Sequence, residues 1–226
     1  MKQKKNKRID IYSKFSFNKK YYKELVNFFR SQTTIETGGK KIFDGTYRDL
    51  LHIPEELAQL IIFLKKHEIL KKNKIKKYLE IGFSHGFANT ILNKFFNFET
   101  IVAVDKFGSH INGVSLAPNL RFKNLILICN DSKSEFVVKN LKKFEKFDLI
   151  FIDGNHDYKS VKSDFNNYIN LLNKDGIMIM HDIKLENSGS KNFWNEIKLK
   201  KNFTFKEIVC SKYLFKYGVG ILKFKK

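Results

Sequence analysis

From residue 77 onward, short unbroken apolar runs alternate with stretches whose apolar residues recur at helical spacing. "KYLEIG" (77–82), "TIVAVD" (100–105), "LILIC" (125–129), "DLIFID" (148–153) and "GIMIMHD" (176–182) are the apolar runs. Without a polar residue at every second position, they predict strands buried on both faces. "FANTILNKFF", "SEFVVKNL" and "YKSVKSDFNNYINLL" predict intervening helices, the last with Val161, Phe165, Tyr168 and Leu172 on one face. Strand and helix in alternation predict a parallel sheet covered on both sides. "SKNFWNEIK" adds a helix, and "FTFKEIVC" with "YGVGILKF" predicts a closing antiparallel hairpin. The fold class is therefore α/β, doubly wound, with a mostly parallel seven-stranded sheet.

The upstream segment reads differently. "MKQKKNKR" is a basic run expected to be disordered. "NKKYYKELVNFFRSQ" predicts a helix with Tyr22, Leu25, Val26 and Phe29 on its apolar face. "PEELAQLIIFLKK" predicts a second, with Pro54 in its first turn, Glu55 and Glu56 where the macrodipole favours anions, and a stripe of Leu57, Leu60, Ile61 and Leu64. Between them, "TGGKKIFDGTYRDLLHIP" reads as a long loop and a candidate lid. Residues 1–50 are thus expected to form a basic tail, helix and lid loop, and residues 51–226 the main domain. No internal repeat is evident.

Composition narrows the function classes. The 226 residues, 42% hydrophobic, support one substantial core. No apolar stretch approaches the ~20 residues of a membrane span, and no apolar segment follows the basic start as in a secretion signal, so a cytoplasmic location is expected. Cys129 and Cys210, far apart, are expected to be buried thiols rather than a disulfide or a zinc site. The net charge of +20 raises nucleic acid as a partner. The excess is mostly Lys, as in Lys65, Lys66, Lys71, Lys72, Lys74, Lys76 and Lys77, and is expected to be solvated surface, so nucleic acid is not favoured. A homo-oligomer is left open.

In an open α/β sheet, ligands bind beyond the carboxyl ends of the strands, so the residues that follow each strand carry the chemistry. The first strand runs into "EIGFSHG", where Gly82 and Gly86 allow a tight turn before a helix. The second ends at Asp105, a carboxylate placed to accept from two ribose hydroxyls. The third ends in "NDSKSE", where Asp131 or Ser132 meets an adenine edge, or Ser132 and Glu135 form a capping box. The fourth runs into "DGNHDY", a concentration of acid and base groups at one strand end.

"YLEIGFSHGFAN", Asp105, "NDS", "FIDGNHDYKSVKSDF", "LLNKDGIMIMHDI", "FWNEIK" and "YGVGI" together resemble class I S-adenosylmethionine-dependent methyltransferases. Within them they are most similar to the small-molecule O-methyltransferase branch with "IDG-x-H-x-Y" and "HD" strand ends. The resemblance spans about residues 50 to 222 and implies a Rossmann-like sheet with a C-terminal antiparallel hairpin and an N-terminal helical extension. It implies that Glu80, Gly82, Ser84 and Gly86 surround the methionine part of the cofactor, that Asp105 holds its ribose, and that Asp131 and Ser132 flank its adenine. It further implies a divalent ion, Mg2+ or Mn2+, at Asp153, His181 and Asp182. Relatives often carry two acidic or amide residues where this chain has His181–Asp182. The ion would favour the deprotonated acceptor hydroxyl, and His156, with Asp153, would carry the acid–base chemistry.

The remaining histidines have blander readings: His85 is expected to line the glycine turn, and His52, His67 and His110 to be surface or loop residues. Phe107, Tyr158 and Trp194 are candidate walls of an acceptor pocket. The implied reaction is methyl transfer to a hydroxyl of a small molecule, such as a sugar or glycosylated metabolite. An RNA methyltransferase and a non-catalytic cofactor- or nucleic-acid-binding protein are the alternatives. A nicotinamide dehydrogenase lacks its G-x-G-x-x-G turn here.

Overall fold

The computed structural model describes residues 19–31, 40–42, 46–48, 52–84, 86–107, 123–212 and 216–225. The chain opens with helix α1 (Lys19–Ser31), a small antiparallel pair β1 (Lys40–Ile42) and β2 (Thr46–Arg48), and helix α2 (Pro54–Lys71). Thereafter strands and helices alternate: β3 (Lys77–Ile81), α3 (Phe87–Phe96), β4 (Thr100–Asp105), β5 (Leu125–Cys129), α4 (Glu135–Leu141), β6 (Phe147–Ile152), α5 (Tyr158–Tyr168) and β7 (Leu172–His181). Helix α6 (Gly189–Ile197) and strands β8 (Phe203–Ile208) and β9 (Val219–Phe224) complete it.

The large sheet has the order β5-β4-β3-β6-β7-β9-β8, with β3 to β7 parallel and β9 antiparallel to both β7 and β8. Why the central runs are continuously apolar is visible in their packing. Leu149 and Phe151 of β6 join a core with α1, α2 and α3, while Ile150 and Ile152 join a second core with α4, α5 and α6. Alternate side chains thus meet different helical layers and neither set meets water. The strand order reverses between β3 and β6, which opens a crevice at their carboxyl ends.

Several local expectations change. On α1 the buried face holds Tyr21 rather than Tyr22, together with Leu25, Val26 and Phe29. The predicted loop contains the antiparallel β1–β2 pair. Helix α5 stops at Tyr168, and a 3-10 turn over Ile169–Leu171 leads directly into β7. Leu172 is already paired with Phe147 across a register shift, so it belongs to the strand rather than the helix. Lys65 is buried, ion-paired to Glu68 at 3.0 Å and lying over the Phe96 ring. Cys129 is exposed on the edge strand β5 and Cys210 is half-buried, so neither is the buried thiol expected. Among the described residues, no helix is long and apolar enough to cross a membrane.

Gly82 fixes the centre of the crevice. Its φ is +91°, and a Cβ there would lie 2.0 Å from the backbone oxygen of Asp153. Gly82→Ala should therefore destabilise the fold by about 2 kcal/mol or more, through left-handed strain plus displaced backbone. Denaturant unfolding checks this; a midpoint unchanged from the parent would contradict the close approach.

Candidate active site

The sheet register decides which residues meet. Ile81 pairs with Ile152, and Ile152 pairs with Met180, so Gly82, Asp153 and His181 follow side by side at the strand ends. Asp153 N donates to Ile81 O at 2.8 Å, and Gly82 N to Val104 O at 2.9 Å, locking the ends of β3, β4 and β6 together. Asp105 adds a side-chain lock. Its Oδ2 accepts from Ser84 N at 2.7 Å and its Oδ1 from Phe107 N at 2.8 Å. An ionised carboxylate has about four acceptor positions, so both oxygens retain capacity towards the cavity. Ser84, Phe107 and Asp182 all have left-handed backbones, with φ of 48°, 46° and 59°. Such conformations persist in non-glycine residues only where surrounding contacts over-determine them.

A cavity of about 620 Å3 opens beyond these ends. Glu80, Gly82, Ser84, Asp105, Asp131 and Ser132 line one half, and Asp153, His156, His181 and Asp182 the other. Gly86 is not among the lining residues; with φ of +75° it caps α3 and accepts from Thr90 N at 2.9 Å. Phe107, Tyr158 and Trp194 do not line the cavity either. Trp194 is buried against Gly220 and donates to Glu207 at 2.7 Å, Tyr158 bonds Glu196, and Phe107 meets Phe83 edge-on. His85 and His110 lie outside the described residues.

In the first half, the Glu80 carboxyl is buried and accepts from Asn89 Nδ2 at 2.6 Å. Burial pushes its pKa up to about 8, against the opposing Asn89 bond. Ser132 is not a helix cap: Ser134 fills that role for α4, accepting from Val137 N. Ser132 Oγ instead donates to Asp164 Oδ1 at 2.7 Å. Asp164, from α5, is buried, and desolvation raises its pKa to about 6. Asp131 sits further out. It accepts from Lys133 N at 2.9 Å, which holds its pKa low.

In the second half, three imidazoles converge on two carboxylates. His156 Nδ1 is 3.0 Å from Asp182 Oδ2, and its Nε2 is 3.8 Å from Asp153 Oδ1. His181 Nδ1 lies 3.2 Å from Asp153 Oδ1 and 3.1 Å from Asp182 Oδ1. That Asp182 oxygen is buried and makes no hydrogen bond, because the His181 approach satisfies ion-pair distance but not hydrogen-bond geometry. Burial disfavours charge on every member, yet the cluster is self-compensating. For His181, burial lowers the pKa but Asp153 and Asp182 outweigh it and push it up to about 9. For Asp153, burial is overcome by the His181 charge and the neighbouring imidazoles, which hold the carboxyl well below its usual range. Contact with Asp153 raises the His156 pKa, burial opposes this, and the Asp182 charge adds to the rise. Asp182 itself is raised, chiefly by burial.

The third imidazole is His52, which does not lie on the surface. It is buried beside Phe151 and His181, with Nδ1 3.1 Å from His181 Nε2 and Nε2 3.6 Å from Asp153 Oδ2. Burial and the His181 charge lower its pKa to about 4. His67 is also buried, bonded to Asp175 O at 2.9 Å. Asp164, Asn89 and Tyr217, which fall within the quoted motifs but receive no role from the sequence, are further participants. Tyr217 lines the cavity with its ring parallel to that of His181, 6.3 Å away.

Comparison with known proteins agrees with this geometry. Residues 79–183 match a family model described as a methyltransferase domain. No curated protein matches the chain. Among solved structures, the chain is similar to the O-methyltransferase TomG of Streptomyces achromogenes, involved in tomaymycin synthesis and solved with S-adenosylmethionine. The identity is 12%, the coverage 94% of this chain and 100% of that one, and the TM-score 0.58. It is similar to MycE of the mycinamycin biosynthetic pathway, solved with Mg and S-adenosylhomocysteine, at 15% identity and a TM-score of 0.52. That likeness covers 73% of this chain but only 49% of MycE, so this chain spans about half the MycE length. The N-methyltransferase NodS of Bradyrhizobium japonicum is also similar, at 14% identity, 76% and 97% coverage and a TM-score of 0.54. Likeness at these identities shows the shared fold. The strand order and the crevice at the strand reversal accord with that fold, and residues 79–183 carry the match to the methyltransferase-domain family.

Proposed function

We propose that this protein is an S-adenosylmethionine-dependent O-methyltransferase acting on a hydroxyl of a small molecule, a sugar or glycosylated metabolite being the class to test first. The observation that carries this reading is that one cavity is lined both by Glu80, Gly82, Ser84, Asp105, Asp131 and Ser132, groups suited to a nucleoside, and by the Asp153, His156, His181 and Asp182 cluster, suited to move a proton. Glu80 and Asn89, with Gly82 and Ser84, hold the amino acid end of the cofactor. Asp105 accepts from the ribose hydroxyls, and Ser132 with Asp131 faces the adenine. S-adenosylmethionine supplies a sulfonium methyl group for in-line displacement.

An alcohol attacks poorly until its proton leaves, so the second half must remove it. His156 Nδ1 lies at ion-pair distance, 3.0 Å, from Asp182 Oδ2, which would orient the ring and leave Nε2 to take the acceptor proton. His156 is the most exposed of the three cluster histidines, with 45% of its side chain accessible, so it faces incoming acceptor while His52 and His181 stay buried. Gly82 keeps the two halves adjacent, which makes positioning the main contribution of the scaffold.

The donor set also fits a divalent cation. Asp153, His181 and Asp182 lie together, and the buried Asp182 Oδ1 without a hydrogen bond is an acceptor whose desolvation is otherwise uncompensated. A bound ion would supply positive charge that favours the deprotonated hydroxyl. MycE, solved with Mg, is consistent with this reading.

Three outcomes are expected. Asp105→Ala should weaken S-adenosylmethionine binding by about 10- to 100-fold, the value of one or two charge-assisted hydrogen bonds; an unchanged Kd in calorimetry would remove Asp105 from the ribose site. His156→Ala should lower kcat by about 10²- to 10⁴-fold while cofactor Kd changes little. Full turnover in that variant would rule out the base role. Chelation should suppress methyl transfer and added divalent ion restore it, read by mass spectrometry of an acceptor panel; indifference in metal-free protein would mean proton removal alone suffices.

A further inference from the structure

Building on the methyltransferase reading, we propose that His52 completes an inner metal seat with His181 and Asp153. This mixed nitrogen and oxygen donor set selects a borderline divalent ion such as Fe2+, Co2+ or Zn2+ over Mg2+. His52 precedes α2 and lies outside the segment 79–183 matched by the methyltransferase-domain family. Its ring is held between Phe151, stacked at 5.8 Å, and His181, edge-on at 4.4 Å. One donor atom from each of His52, Asp153 and His181 falls within 4.8 Å of the other two. The His52 Nδ1 to His181 Nε2 separation is 3.1 Å. Two nitrogens each about 2.1 Å from one ion stand roughly 3.0 Å apart at a right angle and about 3.4 Å apart at a tetrahedral angle, so this spacing suits a shared ion.

A second trio, Asp153, His156 and Asp182, meets the same distance criterion. The chemistry separates them. An ion on the second trio would occupy the His156 lone pair, which removes the base. Seating the ion on the inner trio leaves the Asp182–His156 pair, 3.0 Å apart, free to move a proton. The inner seat also has its outer support in place. His181 turns Nε2 towards His52 and Nδ1 towards Asp153 and Asp182, the orientation in which a ligating imidazole donates its other N–H to a carboxylate.

Ion class follows from the donors. Mg2+ prefers an octahedron of oxygens and keeps its waters, whereas imidazole nitrogen favours the later divalent metals. Two imidazoles against one carboxylate therefore tilt the seat away from Mg2+.

The test uses metal-free full-length protein titrated with Co2+, Mn2+ and Mg2+ by calorimetry, with Co2+ visible absorption and Mn2+ pulsed EPR. The expected result is Co2+ bound at least about tenfold more tightly than Mg2+, with nitrogen couplings from two imidazoles on the Mn2+ probe. His52→Phe, which keeps a ring against Phe151, should lose about tenfold or more in Co2+ affinity and leave S-adenosylmethionine binding within about twofold. Equal affinity for Mg2+ and Co2+, an unchanged Co2+ isotherm in His52→Phe, or nitrogen coupling from fewer than two imidazoles would overturn the seat. Because the EPR arm uses the parent protein, the result stands even where His52→Phe fails to fold. Loss of S-adenosylmethionine binding in the parent would instead overturn the methyltransferase reading, leaving the ion titration to decide the seat separately.

Discussion

The contact between Gly82 and the backbone of Asp153 is the constraint on which the rest of the site depends. A Cβ at residue 82 would sit 2.0 Å from the Asp153 carbonyl oxygen, so the two strand ends can meet only because that side chain is missing. Their meeting places Glu80, Asp105 and Ser132 on the wall of one cavity with Asp153, His156, His181 and Asp182. Hydrogen bonds from Asp153 N to Ile81 O and from Gly82 N to Val104 O extend the lock across three strands. Without it, the same residues would sit on one edge of the sheet but in no fixed relation.

Around that lock the protein gathers charge that it could not bury singly. Asp153 and Asp182 oppose His52, His156 and His181 inside a poorly solvated pocket, where Asp153 and His181 favour each other's ionisation against burial, while burial and the His181 charge disfavour that of His52. Such a network is costly when one member is removed, because a buried partner is then left uncompensated. It is also the environment in which proton affinities are moved far from their solution values, which proton transfer requires. Left-handed backbones at Ser84, Phe107 and Asp182 belong to the same trade: local strain held in place by strand-end hydrogen bonds and turned to aiming side chains.

The α2 face and the C-terminal strands brace this arrangement from behind. Glu56, buried in the first turns of α2, accepts from Cys210 N at 2.8 Å and Gly218 N at 3.2 Å. Its bonds tie the segment that carries His52 to the turn that carries Tyr217. A residue predicted to serve the helix macrodipole thus also fastens the site wall.

How much of this was legible in the sequence depends on the length scale of each interaction. The strands, most helices, the layered order and the cluster at "DGNHDY" follow from apolar runs and turn residues, because those patterns reflect burial that neighbouring residues share. Asp105, Asp153 and Asp182 were readable because strand ends are where a doubly wound sheet exposes chemistry. His52 and Asp164 were not, since one precedes a helix and the other sits within one, and only packing brings them to the strand ends. The local pattern offers Ser132 with Glu135 as a cap, but Ser132 bonds Asp164, 32 residues away in the chain, and Ser134 caps α4 instead. The sequence by itself determined the layers and the polar rim, through periodicities intrinsic to the chain. Tertiary structure alone decided which histidines face carboxylates, which oxygen is left without a hydrogen bond, and which aromatics stay out of the cavity, because those outcomes depend on distances between segments that no local pattern encodes.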